Sequence, residues 1–385
     1  MSQTKAQLVS GTTAQDLTVD NINTTSVNSG QLSNRNMIIN GAINVSQRKG
    51  TTQTTVPHDT SFYTVDRFVV FDKIDGGDNF TYQQTTAPVP DGFEYALKIN
   101  TAIADSSISS ANYAFFYQIV EGDNIQQANL GTSAAKPLTL SFHVYSNKTG
   151  TYTVGLVNQG TFDRSFLKEF TISQSATWEK KTITFPAITD GNWGDVRVQW
   201  ALAVGSDHQG AADTLLTSTK LGTSNQVNLA NSVNNSFHIT GIQLEVGSTA
   251  TDFEHRSIGD ELALCQRYTI ALDARGSIDN FAPIGHGRFY NGTDAQIFVH
   301  LPTTMRLPPT IDATATTAAN TFFLNEDGGF GGHAMTSIAL NERSFNSVTV
   351  IAQSLGNISG QTVGLGTTIY ADDGDDAKLV LTAEL

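Results

Sequence analysis

Three tryptophans, eight histidines, one cysteine and two acidic runs are the residues of this chain whose chemistry goes beyond packing. Trp178 and Trp200 fall within strand-like segments and read as core. Trp193 sits in the turn "TDGNWG", where an aromatic face can either stack on a ligand or fold back over a sandwich edge. No two histidines have the i, i+4 spacing of a helical metal motif. His143, His238 and His300 lie inside strand patterns, whereas His286 and His333 lie in the glycine-rich segments "IGHGRFYNG" and "GGFGGHAM", read here as loops. The first of these lacks the Gly-x-Gly-x-x-Gly spacing of a dinucleotide site. The acidic runs "DKIDGGDN" and "ADDGDDA" lack the terminal glutamate of a calcium loop, so no metal and no cofactor is expected. Cys265 is alone, which excludes an intrachain disulfide and a multi-cysteine zinc site. Glycan hydrolysis needs two carboxylates set across a groove, and no pair stands out. Binding, not enzymatic turnover, is the expectation.

The chain carrying these residues has 385 residues, enough for two domains with cores of their own. Only 15% are charged, against about 25% in an ordinary globular protein. Its surface must be Ser, Thr, Asn, Gln and Gly, which suits sandwiches and loops better than helical bundles. The net charge of −14 opposes binding to nucleic acid and to anionic membrane surfaces. No run approaches the ~20 apolar residues of a membrane span, and no secretion signal opens the chain. A virion component assembled in a host cytoplasm and released by lysis reconciles cytoplasmic folding with such a surface.

Residues 1–33 contain no aromatic residue and cannot bury a core alone. From Asn34 onward, strand patterns follow one another. "LTLSFHVYS", "YTVGLVN" and "VRVQWALAV" alternate apolar and polar positions, and polar, glycine-rich turns separate them. Such a series predicts antiparallel sheets packed face to face. "HITGIQLEV" alternates too, but slips by one near Gly241, which predicts a bulge. "SIGDELALCQRY" predicts a short helix capped by Ser257, with Ile258, Leu262 and Cys265 on its buried face. Strand patterns resume near Tyr268. The fold class is therefore all-β: two tandem antiparallel sandwiches joined by a short helix and preceded by an extended segment. The divisions fall at 1–33, 34–256, 257–267 and 268–385.

The segments "NRNMIINGAINVSQRKG" (34–50), "FYTVDRF" (62–68), "ATWEKKTITFP" (176–186) and "GIQLEVGSTATDFEHRSIGDELALCQRY" (241–268) resemble tail-fibre and tail-appendage proteins of tailed bacteriophages. The resemblance covers roughly 34–268; Phe68 stands where that family usually has Trp. It implies a carbohydrate-binding-module-like jelly roll in a homotrimeric virion appendage, anchored to the phage tail or baseplate through residues 1–33. The second lobe would then be the distal tip that meets host surface polysaccharide. Its candidate contacts are Arg288, Phe289, Tyr290, Phe330 and His333, with Trp193 a further candidate in the first lobe. A glycan-cleaving tailspike and a purely structural spacer are the alternatives.

Overall fold

The computed structural model describes residues 34–274, 281–316, 321–326, 329–353, 363–372 and 377–384. Residues 1–33, and any attachment role for them, lie outside it. Two sheets build the first lobe. One runs, edge to edge, through Thr54–Thr55, Phe80–Thr85, Ala96–Thr101, Ser236–Val246, Leu138–Ser146 and Glu179–Phe185. The other runs through Leu215–Leu216, Ser165–Ile172, Gly150–Asn158, Val196–Val204, Tyr113–Val120, Val69–Lys73 and Ser61–Tyr63. Successive strands rarely neighbour each other, so the chain crosses repeatedly between sheets, as in a jelly roll.

The alternation visible in the sequence decides which side chains meet between these sheets. Leu138, Leu140, Phe142 and Val144 face Val196, Val198, Trp200 and Leu202, all essentially without solvent contact. Trp200 stacks on Phe116 at 5.0 Å and meets Phe142 edge-on at 5.8 Å. The slip near Gly241 is a bulge: pairing of Ser236–Val246 with Leu138–Ser146 shifts between Thr240 and Gln243. Gly241 has φ +63°, and a Cβ there would lie 2.6 Å from Phe93 Cζ.

The helix spans Ile258–Gln266, and Ser257 Oγ caps it by accepting from the Asp260 N–H at 3.2 Å. Its buried face differs from the sequence expectation. Ile258 is 61% exposed, while Glu261 and Cys265 are buried. Ile258 opens the helix with its side chain turned to solvent. Glu261 turns inward because its carboxylate accepts from the Asn40 N–H and meets Arg256. Complete burial pushes the Cys265 thiol well above its ordinary range.

Beyond the helix, Thr269–Asp273, Lys378–Thr382 and Thr310–Ile311 form a small sheet. It packs on a seven-stranded sheet of Gly329–Ala334, Phe322–Glu326, Gly366–Asp372, Phe281–Phe289, Asp294–His300, Ser347–Gln353 and Ser337–Arg343. This second sandwich has its own core, with Phe289, Ile297, Val350, Ile369 and Leu379 fully buried.

A buried polar joint ties the two lobes. Glu384, near the end of the chain, accepts from Arg67 and from Arg48 Nη2, the latter at 3.4 Å. Arg48 also meets Asp312 at 2.9 Å, and the Arg67 guanidinium lies 3.5 Å over the Tyr268 ring. Gln47 bridges Asp66 of the first lobe and the Thr269 carbonyl of the second. Burial works against the Arg48 charge, but Glu384, Asp66 and Asp312 outweigh it and raise its pKa. Removing Glu384 leaves Arg67 buried without a carboxylate and Arg48 with Asp312 alone. Glu384→Gln is therefore expected to cost about 3–5 kcal/mol of stability in urea unfolding. A midpoint matching wild type would show that the joint carries no stability.

His238 supplies a second test. It is 2% exposed on the outer face of the first sheet, beside Tyr145 at 4.8 Å. Burial, assisted by Lys98, pulls its pKa down to about 3. The unfolded chain binds this proton below about 6.5 and the folded chain does not. Stability should thus fall as pH drops from about 6.5 towards 3, by about 1 kcal/mol per unit from this group. His238→Phe should flatten that slope in pH-dependent urea melts, and an identical slope in both proteins would contradict the assignment.

Candidate functional site

The residues expected to touch ligand fall in both lobes, as the sequence placed them, and the structure describes some of their side chains. "GHGRFYNG" is largely strand, belonging to Phe281–Phe289, and not a loop. Alternation along a strand sends neighbouring side chains to opposite faces, so Arg288 and Phe289 cannot both meet a ligand. Phe289 is fully buried in the second core, which corrects its assignment as a contact. Arg288 is exposed beside Gln296, and Tyr290 is 54% exposed where the strand ends. "GGFGGHAM" is likewise strand through Gly329–Ala334; the side chains of Phe330 and His333 lie outside the described residues. Trp193 belongs to the other lobe. Its indole N–H donates to the Asp190 carbonyl at 3.0 Å, and its half-buried ring packs against the first core. With Ile125 and Leu130 it lines a depression of about 360 Å³, so the ring closes a sandwich edge.

A different surface gathers aromatic side chains: the outer face of the seven-stranded sheet in the first lobe. The Tyr113–Val120 strand carries rings on both sides. Phe116 points into the core, while Tyr113, Phe115 and Tyr117 recur at every second position on the opposite face. The register places Phe71 beside Phe115, and Ala201 and Gln199 beside Phe115 and Tyr117. Phe71 stacks on Tyr113 at 5.6 Å, and Phe115 stacks on Tyr117 at 5.4 Å. Tyr113 meets His208 edge-on at 4.4 Å. The Gln199 amide donates to the Lys220 carbonyl at 3.0 Å, pinning the 205–226 connection along one flank. Phe115 and Tyr117 are thus a buried floor, Phe71 and Tyr113 are half-buried, and Phe162 stands 46% exposed.

Arg197 projects onto this face and is only 7% exposed. Its guanidinium carbon lies 5.0 Å from the Phe115 ring centre, 5.4 Å from Tyr117 and 5.5 Å from Phe162. No described residue hydrogen-bonds to it or pairs with its charge, and its Nε is buried without a partner. Burial pulls its pKa down to about 10, against a weaker upward pull from Tyr117 and Tyr113. The group remains a cation at neutral pH. A desolvated cation–π contact recovers about 2 kcal/mol or more, set against a burial cost of several kcal/mol for an unpaired charge. Arg48, Arg67 and Arg256 illustrate the contrast, since each meets a carboxylate.

This face is hard to see in the sequence. The available signal was a strand, "YAFFYQIV", with aromatic residues at both parities, beside "VVFDK", which has apolar residues at both parities and one aromatic, Phe71. A strand facing only water on one side alternates with polar residues there, and these do not.

No family model matches the chain, and no curated protein does. Solved structures match about half of the chain at low similarity. A carbohydrate-binding module, CBM4, is 14% identical over 54% of this chain and 97% of its own, with a TM-score of 0.28. The family 11 carbohydrate-binding module from Clostridium thermocellum is 8% identical over 54% of this chain and 99% of its own, with a TM-score of 0.27. The enzymatically active domain of bacteriophage CBA120 tailspike protein 4 is 10% identical, with a TM-score of 0.27; the match spans 55% of this chain and 21% of that one.

Proposed function

We propose that the protein binds glycan, without cleaving it, through the outer face of the seven-stranded sheet in its first lobe. The observation that carries this is the aromatic face itself. Half-exposed Phe71 and Tyr113 and exposed Phe162 surround a rigid floor of Phe115 and Tyr117. Rings held by a sheet lose little entropy on binding and suit the apolar faces of sugar rings. Phe71, Tyr113, Phe115, Tyr117, Phe162 and Arg197 themselves include no carboxylate, so these residues suit holding a ligand and supply no acid–base pair. The motif resemblance supports the setting: a trimeric phage tail fibre attaching to host surface polysaccharide. Three weak sites on one fibre gain avidity, because the second and third contacts are intramolecular. In the second lobe, Phe298 is 56% exposed on the outer sheet face, across the strand pair from His286. That surface favours a second reading, in which the distal lobe makes the host contact.

The purified protein should retain at least one member of an array of bacterial surface polysaccharides. Phe71→Ala combined with Tyr113→Ala should weaken that binding about tenfold or more, since truncating an anchoring ring costs about 1–2 kcal/mol. Undiminished binding by the double variant removes this face from the site, and loss through Tyr290→Ala instead would move the contact to the distal lobe. Sustained release of reducing ends would make the protein a hydrolase, and a monomer by light scattering would remove the avidity argument.

A further inference from the structure

We infer that the glycan bound on this face is acidic, and that Arg197 takes its carboxylate, sulfate or phosphate. The inference rests on the glycan-binding role proposed above and specifies its ligand class. Three observations converge on it. Arg197 is more than nine-tenths buried yet has no hydrogen bond and no counter-charge among the described residues. The rings of Phe115, Tyr117 and Phe162 pack around its guanidinium and hold it in place. Its Nε is sealed, while its terminal nitrogens, also without partners, keep access to solvent. A planar guanidinium fixed by aromatic rings, with its terminal nitrogens open, is preorganised to bind a planar or tetrahedral oxyanion through two parallel N–H donors.

A neutral saccharide does not answer this arrangement as well. Hydroxyl groups would accept from the terminal nitrogens but leave the buried charge uncompensated. The protein as a whole carries a formal charge of −14, so an acidic polymer gains nothing from its long-range field. Attraction must therefore be local, within about 8 Å at physiological salt. An acidic polypeptide would also meet the charge, but the flat rings flanking Arg197 favour a sugar face over an extended peptide.

The test uses the full chain on an array that carries uronate-containing, sialylated, sulfated and phosphorylated saccharides beside neutral ones. The strongest binders should be acidic. Carboxyl-reduced or desulfated forms of the same saccharide should bind wild-type protein at least about tenfold more weakly. Which chemical removal matters identifies the oxyanion. Arg197→Gln should lose a similar factor for the acidic saccharide and almost nothing for its neutralised form. Its melting temperature should equal or exceed that of wild type, because a buried unpaired cation has gone. Neutral ligands whose affinity ignores Arg197→Gln would overturn this inference and leave glycan binding standing. No saccharide bound at all, or binding of poly-glutamate in their place, would overturn both. If Arg197→Gln melts well below wild type, the arginine is structural, and the inference fails unless the neutralised saccharides still show the loss on wild-type protein.

Discussion

The carboxylate of Glu384 reaches across from the last described residues of the chain and is held by two arginines of the first lobe, Arg48 and Arg67. All three side chains are nearly inaccessible to solvent. Burial of this kind is tolerated only when each charge has its partner. The joint therefore specifies one arrangement of the two lobes, not merely an attraction between them. Three of the four segments that resemble phage tail-fibre proteins, 34–50, 62–68 and 241–268, meet around it. Asn36 satisfies backbone groups of Ile38, Ile242 and Leu244. Asn40 does the same for Val45 and Asp66 and receives Glu261 from the helix. Arg48, Asp66, Arg67 and Tyr268 complete the joint itself. Those motifs are architectural residues and contribute no ring to the candidate face.

The joint nevertheless reaches that face. Arg67 Nη2 donates to the Ile119 carbonyl at 2.7 Å, near the end of the strand that presents Tyr113, Phe115 and Tyr117. Glu121, just beyond, meets Arg267 from the end of the helix at 3.1 Å. The aromatic strand is thus clamped at its end by the same contacts that set the lobes. Its middle is fixed by the core side of the sheet, where Phe116 lies stacked on Trp200. Rings anchored in this way lose little freedom on meeting a ligand.

The fold was largely legible because period-two alternation survives in "LTLSFHVYS", "YTVGLVN" and "VRVQWALAV", and because Ser257 and Asp260 announce a helix start. The burial of Phe289 was not. "GHGRFYNG" looks like a loop by its glycines, yet the glycines serve a strand. A Cβ on Gly287 would fall 1.9 Å from the Gln296 carbonyl oxygen of the neighbouring strand. Once that segment is a strand, Phe289 must face inward. Arg197 was illegible for another reason. One arginine in "VRVQW" reads as an ordinary solvent-facing position, and only the structure reveals that no acid accompanies it into the rings. Composition indicates how much charge a chain carries, but not which charges have been left without partners.

The most direct test of the account is a crystal structure of the full chain with its tightest-binding saccharide. Sugar rings should lie against Phe71, Tyr113 and Phe162, with an oxyanion on the terminal nitrogens of Arg197. A saccharide bound instead beside Arg288 and Tyr290, or in the depression at Trp193, with the Phe115–Arg197 face empty, would contradict it.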